Sequence, residues 1–342
     1  MAPRRAEVLV NAQSPLKDRR VLVTGAGGFI GSHLAASLAA AGAQVTALVR
    51  YNAQSSSGNL SFVDDAARRS MTIMPGNIED SDCVRAAAEG MDVVFHLAAL
   101  ISIPYSYVAP RSIVNANVGG TLNVLEAARR GCVGRVILTS TSEVYGTALR
   151  EPIDEGHPLQ AQSPYAASKI AADALGESYR RAFDVDVVTV RPFNTYGPRQ
   201  SARAFIPTII AQALWRETIA LGALDPRRDM VFVEDTVAAF LAAAVAPEAR
   251  GATFNVGTGT ALSIGDYAAR IQRLIGVDKP IVSDPQRLRP AASEVLSLCC
   301  NAGRAASVLG WSPRTDLDEG LERTIAFVAA HRGLYAPETF VL

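Results

Sequence analysis

The fold of this chain is decided by the stretch VLVTGAGGFIGSHLAASL at residues 21–38. An apolar run leads into Gly25, Gly28 and Gly31, and an Ala/Leu-rich segment with helical spacing follows. Gly25 permits a tight turn, Gly28 lets main-chain N–H groups approach a pyrophosphate, and Gly31 allows close contact between helix and strand. The start of the helix then presents the positive end of its dipole to the phosphates. This strand, turn and helix predict a dinucleotide-binding site rather than an ordinary tight turn.

Short apolar runs alternate with helix-length segments from residue 20 onward. Strands are predicted at 21–25, 44–49, 71–76, 92–98, 135–140 and 186–192, with a further one at 254–259. Strands that are apolar on both faces and separated by helices indicate a parallel sheet. We therefore predict an α/β fold: a Rossmann-type doubly wound parallel sheet with a smaller C-terminal α/β substrate lobe.

The pattern loosens after residue 192, where Pro, Gly and Arg become frequent. We predict a dinucleotide-binding domain over 20–192, to which 231–260 returns, and a substrate-binding lobe over 193–230 and 261–342. Residues 1–19 are predicted to form a flexible leader. Their basic residues are followed by neither the apolar segment nor the small-residue cleavage site of a signal peptide.

Composition excludes several classes of partner. The 342 residues are 49% hydrophobic, and 33 Lys+Arg balance 33 Asp+Glu with the signs interspersed. This balance argues against nucleic acid or an anionic membrane as a partner. No apolar run reaches the ~20 residues that span a bilayer. The four cysteines and four histidines lack metal-ligand spacing, so we predict no metal site, and free thiols in a cytoplasmic protein.

Tyr165 and Lys169 provide a candidate catalytic pair. They are four residues apart, so both side chains lie on one face of a helix. A phenol with a pKa near ~10 is a poor base at neutral pH. A neighbouring ammonium and a cationic, oxidised nicotinamide favour the phenolate, and we expect them to lower the pKa of Tyr165.

Further motifs follow the glycine turn in order along the chain. They are His96-Leu97-Ala98-Ala99, Asn117 ahead of Gly120-Thr121, Tyr165 with Lys169, Arg191-Pro192-Phe193-Asn194-Thr195-Tyr196-Gly197-Pro198-Arg199, and Arg228-Asp229. With this set the chain resembles the extended short-chain dehydrogenase/reductases of the NAD-dependent epimerase/dehydratase family that act on nucleotide sugars. Within that group it is most similar to the 4,6-dehydratases, both the legionaminic-acid-pathway type and GDP-mannose 4,6-dehydratase.

The resemblance implies a reaction that involves Glu143. The segment Thr141-Ser142-Glu143 follows a strand end, where residues of parallel sheets point into the ligand crevice. Thr141 is expected to bond the substrate's 4-hydroxyl beside Tyr165, and Glu143 to remove the C5 proton. Many dehydratases carry Thr-Asp-Glu here, so either Ser142 relays the proton to the departing C6 hydroxyl or Glu143 performs both steps. The catalytic set is thus Thr141, Ser142, Glu143, Tyr165 and Lys169.

We therefore expect an NDP-hexose 4,6-dehydratase, with a GDP- or UDP-linked hexose or N-acetylhexosamine, that forms a 4-keto-6-deoxy sugar after transient C4 oxidation. A 4-epimerase and a UDP-glucuronate decarboxylase are the alternatives on this scaffold, since the decarboxylases also carry Thr-Ser-Glu. A non-catalytic dinucleotide sensor is an alternative of another class. The presence of both Tyr165 and Lys169 argues against it.

The cofactor site implied by the resemblance extends along the strand ends. It comprises Gly25, Gly28, Phe29, Ile30, Gly31, Arg50, Asn77, Ile78, Leu97, Ala98, Ala99, Asn117, Thr139, Tyr165, Lys169 and Pro192. NAD-specific enzymes place an acid at the end of the second strand, whereas this strand ends in Arg50. Arg50 suits a 2′-phosphate or stacks on adenine. We predict NAD, with NADP as the alternative, because a recycled cofactor gains nothing from the NADPH pool.

The substrate site is expected to be built mainly by the second lobe. Arg199, Arg228 and Arg289 are predicted to hold the diphosphate, because guanidinium groups match phosphate oxygens in two-point contact. Asn194 and Ser102 are predicted to contact the substrate, and Glu294 is a weaker candidate. Helices near 109–130 and 163–182 carry surplus apolar positions, which predicts a homodimer through a four-helix bundle.

Overall fold

The structure, a computed structural model, describes residues 14–335. Most of the predicted leader, residues 1–13, lies outside the described residues. Residues 15–18 form a turn before the first strand, and Leu16 within it is buried in the core. The division into domains stays a prediction.

The strands begin and end close to the predicted positions in the first half of the chain. They are β1 (Arg20–Thr24), β2 (Gln44–Arg50), β3 (Thr72–Gly76), β4 (Val93–His96), β5 (Arg135–Thr139), β6 (Val187–Pro192), β7 (Asn194–Tyr196), β8 (Ile219–Leu221), β9 (Arg227–Phe232), β10 (Thr253–Val256), β11 (Ala261–Ser263), β12 (Ile281–Ser283) and β13 (Ser297–Leu298). The strands missed from the sequence, β7, β8, β9, β11, β12 and β13, all lie in the second half of the chain.

The helices alternate with these strands. They are α1 (Phe29–Ala40), α2 (Asp65–Arg69), α3 (Ser81–Ala88), α4 (Ile103–Val108), α5 (Pro110–Val114), α6 (Gly120–Gly131), α7 (Pro164–Phe183), α8 (Phe205–Trp215), α9 (Val233–Val245), α10 (Ile264–Ile275), α11 (Gly303–Leu309) and α12 (Leu317–Ala330). A π-helical turn at Asn115–Gly119 joins α5 to α6, so residues 110–131 form one nearly continuous helix. Among residues 14–335, no helix combines the length and apolarity that a bilayer crossing requires.

The central sheet has seven parallel strands in the order β10-β6-β5-β4-β1-β2-β3. The strand order reverses between β1 and β4, and the crevice at such a reversal is where doubly wound sheets bind ligands. The predicted fold class is confirmed. The crevice opens at the carboxyl ends of these strands, where the predicted site residues are concentrated.

The second half of the chain adds two small sheets. In one, β9 pairs with β11, β13 and β7, and in the other β12 pairs with β8. A separate apolar core, which includes Tyr196, Ile209, Phe232 and Tyr267, joins these strands to α8, α10 and α12. This lobe faces the carboxyl edge of the central sheet and closes the crevice from the other side.

Candidate active site

One large cavity of about 1160 Å³ lies between the central sheet and the second lobe. Its wall includes the glycine turn after β1 at one end and Arg228 with Arg289 at the other, with Tyr165 among the residues between. Ligand pockets generally measure ~300–1,000 Å³. This cavity is therefore large enough for a dinucleotide with part of a second ligand.

The glycine turn leaves no room for side chains. Gly25 has φ +71°, and an added Cβ there would lie 2.7 Å from the main-chain nitrogen of Ala98 on the neighbouring strand end. An added Cβ at Gly31 would lie 2.2 Å from the carbonyl oxygen of Gly25. Gly28 caps α1, whose first N–H groups face the turn. The chemistry and the space fit a pyrophosphate held by main-chain N–H groups.

The loop after β2 lies directly on this turn. The amide nitrogen of Asn59 donates to the carbonyl oxygen of Gly27 at 2.9 Å, and an added Cβ at Gly27 would lie 2.9 Å from the Ser57 carbonyl oxygen. The Asn52 side chain organises the loop by accepting from the Gln54 and Ser56 amides. This loop therefore covers one flank of the dinucleotide site.

Most of the predicted cofactor residues line the cavity. They are Gly25, Gly28, Phe29, Ile30, Gly31, Arg50, Asn77, Ile78, Leu97, Ala98, Ala99, Thr139, Tyr165 and Pro192. Arg50 is exposed, and no acidic residue within 14–335 forms a salt bridge with it. The end of β2 thus carries an arginine with no salt-bridge partner among residues 14–335, at the position where NAD-specific enzymes place an acid.

Asn117 does not line the cavity. Its buried side chain accepts a hydrogen bond from the Leu100 amide at 2.8 Å and donates to the Leu100 carbonyl and the Ser168 hydroxyl. These bonds tie the π-helical turn to the loop after β4 and to α7. Asn117 therefore stabilises the segments that form the cavity wall without lining the cavity itself.

The candidate catalytic pair lies on α7, as the spacing predicted. Ser163 caps the helix by accepting from the Ala166 amide, and Pro164 occupies its first turn. Tyr165 lines the cavity and hydrogen-bonds with the Thr141 side chain. Lys169 lies behind the cavity wall and donates from Nζ to the Thr139 carbonyl oxygen at 2.5 Å.

Burial dominates the electrostatics of this pair. It raises the pKa of Tyr165 well above its ordinary value, the hydrogen bond with Thr141 opposes that rise, and the Glu143 carboxylate adds to it. Burial also lowers the pKa of Lys169. The protein's own groups therefore do not produce the lowered phenol pKa expected from the sequence, and that expectation depends on the positive charge of the nicotinamide.

Glu143 is 9% exposed and lines the same cavity. Within residues 14–335, no group donates a hydrogen bond to its carboxylate. Its charge acts on Tyr165 and on Arg228. Both carboxylate oxygens are therefore available as acceptors toward a ligand in the cavity. Its neighbour Ser142 is buried but does not line the cavity.

Two of the three predicted phosphate-binding arginines meet at the far end of the cavity. Arg228, 4% exposed, donates to the Glu294 carboxylate at 3.2 Å, and Arg289 approaches the same oxygen at 3.5 Å. Burial lowers the pKa of Arg228, and the charges of Glu143 and Glu294 oppose that change. Asn194 and Ser102 also line the cavity, and the Asn194 side-chain oxygen is buried without a partner.

Arg199 lies outside the cavity. Its guanidinium donates to the Ser32 hydroxyl at 3.3 Å and the Phe62 carbonyl at 3.1 Å. Its own carbonyl accepts from the Asn59 side chain. Arg199 therefore joins the loop after β7 to α1 and to the loop over the glycine turn, and in this structure it does not face the cavity where the diphosphate was expected.

Sequence reasoning missed the cavity wall in the second lobe. The additional lining residues there include Ala204, Phe205, Thr208, Leu221, Gly222, Ala223 and Met230. They lie at the start of α8, at the end of the three-residue strand β8 and just after it, and on β9. The apolar α8 and the very short β8 give no distinct periodicity in the sequence. At Gly222 an added Cβ would lie 2.6 Å from the Arg287 carbonyl oxygen, a space requirement that only the structure reveals.

A doubly wound sheet with the glycine turn, and a Tyr/Lys pair on the helix beside the crevice, define an enzyme of the extended short-chain dehydrogenase/reductase class. The family model described as GDP-mannose 4,6 dehydratase matches residues 22–324. The chain belongs to this family. The kinship expected from the sequence motifs is confirmed.

Individual relatives include both dehydratases and epimerases. The UDP-glucose 4-epimerase of Mycolicibacterium smegmatis is 36% identical over 314 residues, which cover 90% of this chain and 98% of that protein. The dTDP-glucose 4,6-dehydratase of Streptomyces niveus is 31% identical over 325 residues, 93% of this chain and 95% of its own. A double mutant of DesIV, a dTDP-glucose 4,6-dehydratase from Streptomyces venezuelae solved with NAD bound, superimposes with a TM-score of 0.84 at 29% identity, over 93% of this chain and 99% of that one.

Proposed function

We propose that this protein is an NDP-hexose 4,6-dehydratase that forms a 4-keto-6-deoxy sugar. The observation that carries the proposal is the Glu143 carboxylate, buried and without a hydrogen-bond donor in the cavity that Tyr165 also lines. Simple C4 oxidation and epimerisation need no second base. A carboxylate in this position supports the removal of a further proton.

The residues divide the reaction as follows. A nicotinamide held at the strand ends would supply the hydride acceptor for C4 of the sugar and the hydride donor for C6. Tyr165 accepts the proton of the 4-hydroxyl, and Thr141 orients the phenol and that hydroxyl toward each other. The resulting ketone acidifies the C5 hydrogen, which Glu143 removes as hydroxide leaves C6. Because Ser142 does not line the cavity, we propose that protonated Glu143 also supplies the proton that makes the leaving group water. C5 then takes up a solvent-derived proton when hydride is added at C6.

We propose NAD as the cofactor, held by the glycine turn and the strand ends. The NAD bound to the related DesIV supports this choice. The exposed Arg50 stacks on adenine in this proposal, whereas NADP would pair its 2′-phosphate with that guanidinium. Denaturing the purified protein and identifying the released dinucleotide distinguishes the two.

We propose that Arg228, Arg289 and Asn194 hold the nucleoside diphosphate and the sugar. All three line the cavity, and the two guanidinium groups offset the charge of two phosphates. The relatives named above support a pyrimidine nucleotide.

We infer a homodimer through α5–α6 and α7, since Val114, Leu122 and Phe183 on these helices are exposed. Light scattering that gives a monomer at micromolar concentration contradicts the dimer.

The epimerase of Mycolicibacterium smegmatis favours 4-epimerisation as the second candidate function. One experiment separates the candidates. The purified protein is incubated with UDP-, dTDP- and GDP-hexoses and with UDP-glucuronate, and products are followed by mass. Loss of one water supports the dehydratase; an isomer of unchanged mass supports the epimerase; release of carbon dioxide supports the decarboxylase. No conversion of any sugar by wild-type protein contradicts all three.

A further inference from the structure

A buried ion pair lies behind the catalytic pair. Oδ2 of Asp173 accepts hydrogen bonds from Arg191 at 3.1 Å and 2.9 Å, and the two side chains are 11% and 7% exposed. Asp173 follows Lys169 by one helical turn and Tyr165 by two, so it lies on the same face of α7. A buried ion pair adds little net stability, because desolvation offsets the attraction. Its placement therefore calls for another explanation.

The same carboxylate oxygen holds the end of β5. Ser140 donates from its hydroxyl to Asp173 Oδ2 at 2.7 Å. Ser140 stands between the two residues that contact the catalytic pair: the Thr139 carbonyl accepts from Lys169, and the Thr141 side chain bonds with Tyr165. Asp173 thus fixes the short segment that positions both groups.

The partner Arg191 extends this support to the segment that carries Glu143. Its guanidinium donates to the Tyr145 hydroxyl at 2.9 Å and lies over the Tyr145 ring. Tyr145 closes the 3₁₀ turn Ser142–Tyr145 that contains Glu143, and its hydroxyl in turn donates to Asn255 at 2.7 Å. One ion pair therefore connects α7, the end of β5, the Glu143 turn and β10.

We propose that Asp173 is a positioning residue for the catalytic centre, which acts through Ser140 and Arg191 to hold Thr139, Thr141 and the Glu143 turn against the Tyr165/Lys169 face of α7. This inference rests on the proposed function. Asp173 does not line the substrate cavity; it lines a separate cavity of about 360 Å³, whose wall also includes Val187, Thr189 and Arg191 of β6 and Thr253 of β10. It therefore contacts neither substrate nor dinucleotide.

Asp173 also supplies the charge that the buried ammonium requires. Burial lowers the pKa of Lys169, and the Asp173 carboxylate opposes that change. The other charged groups that line the 360 Å³ cavity with Asp173 are Arg191 on β6, Glu177 and Arg180 on α7, and Arg304 on α11. Asp173 is the acid that acts on both Lys169 and Tyr165.

The test uses Asp173→Asn, which keeps the size of the side chain and an acceptor for Ser140 but removes the charge. We expect kcat with the nucleotide sugar that the wild type converts to fall ~10- to 100-fold, because small misplacements of catalytic groups have effects of this size. KM for that sugar should stay within about 3-fold, since the phosphate-binding arginines are untouched. The dissociation constant for NADH, measured without any sugar, should rise several-fold because Thr139, which lines the dinucleotide cavity, is no longer fixed through Ser140.

Ser140→Ala and the double variant complete a cycle. If Asp173 acts through Ser140, the combined loss in kcat is smaller than the product of the single losses. Glu177→Gln, one turn further along α7 at a more exposed pair with Arg180 and Arg181, is the matched control and should leave kcat and NADH binding unchanged.

Three outcomes overturn the proposal. One is a folded Asp173→Asn variant that keeps the wild-type kcat and NADH affinity but has a lowered melting temperature. That result would show that Asp173 contributes only to stability. Another is a double variant whose loss in kcat equals the product of the losses in Asp173→Asn and Ser140→Ala. If Asp173→Asn does not fold, Ser140→Ala alone decides, and wild-type kcat in that variant overturns the link. Failure of the wild type to convert any sugar counts against the proposed function, and the NADH measurement still tests Asp173.

Discussion

Lys169 donates a hydrogen bond to the Thr139 carbonyl, and Thr139 is also one of the residues that line the cavity. The ammonium is therefore directed at the strand end beside the crevice although its side chain is almost completely buried. One helical turn earlier, Tyr165 reaches the same strand end through Thr141. The two side chains proposed as catalytic are thus aligned by two residues of one strand terminus, which fixes their spacing before any ligand binds.

Glu143→Gln should stop the reaction after C4 oxidation. The amide keeps the size of the side chain but cannot accept the C5 proton, and loss of a general base typically lowers a rate ~10²–10⁴-fold. Reduced nicotinamide should accumulate when substrate is added, seen as new near-ultraviolet absorbance. Glu151→Gln, an exposed acid of the following loop, serves as the control. Normal dehydration by Glu143→Gln removes Glu143 from the mechanism.

Tyr165→Phe should abolish that absorbance. Without the phenol oxygen nothing accepts the proton of the 4-hydroxyl, so hydride transfer itself stops. The ring remains, and the protein should stay folded by circular dichroism. Unchanged reduction of the nicotinamide in this variant means that another group accepts the proton.

Deuterium from D₂O should enter the product at C5 of the sugar. Removal of the C5 hydrogen by Glu143 exposes that position to exchange with solvent before the product is complete. Mass spectrometry with nuclear magnetic resonance locates the label. Turnover with no deuterium at C5 excludes the proposed role of Glu143 and points to 4-epimerisation.

Arg289→Lys should weaken substrate binding more than it slows chemistry. Lysine keeps the charge but loses the planar fork that holds phosphate oxygens in two-point contact, and such a loss amounts to ~1–3 kcal/mol. We expect KM for the nucleotide sugar to rise ~5- to 100-fold with a smaller change in kcat. Arg304→Lys, outside the large cavity, is the control. An unchanged KM shows that Arg289 does not hold the diphosphate.

Folding stability should fall as the pH drops below about 6.5, the ordinary pKa of histidine. Burial lowers the pKa of His33 to about 4 and that of His96 to about 3. Between those values and 6.5 the unfolded chain binds more protons than the folded one, so protonation favours unfolding. The contribution is fully present above pH 6.5 and is lost as the pH falls through the folded-state values.

Chemical denaturation from pH 7.5 to 5.0 measures this effect. Each unit of separation in pKa corresponds to about 1.4 kcal/mol, so the two histidines together should lower the free energy of unfolding by several kcal/mol over this range. His33→Gln should flatten the slope, because one of the two groups no longer titrates. If the free energy of unfolding depends on pH equally in wild type and His33→Gln, the lowered pKa of His33 does not contribute to the effect.

The sequence predicted the central sheet well because its strands are buried on both faces and the helices between them are long. The same reasoning placed Tyr165 and Lys169 on one helical face, since that spacing is local. It could not place Arg199, whose guanidinium donates to Ser32 and Phe62, residues distant in the chain. It also missed the Asp173 and Arg191 pair, because an ion pair between a helix and a strand leaves no periodic signal.

The loop that lies over the glycine turn has a consequence for how the enzyme would work in a cell. Asn59 bonds to Gly27, and Arg199 holds the end of the same loop at Phe62, whose ring packs against Phe327 and His331 of the second lobe. A dinucleotide beneath such a cover leaves only when contacts to both lobes break. We therefore expect the protein to retain its nicotinamide through many turnovers, so that its flux follows the supply of sugar and is insensitive to the redox state of the surrounding dinucleotide pool.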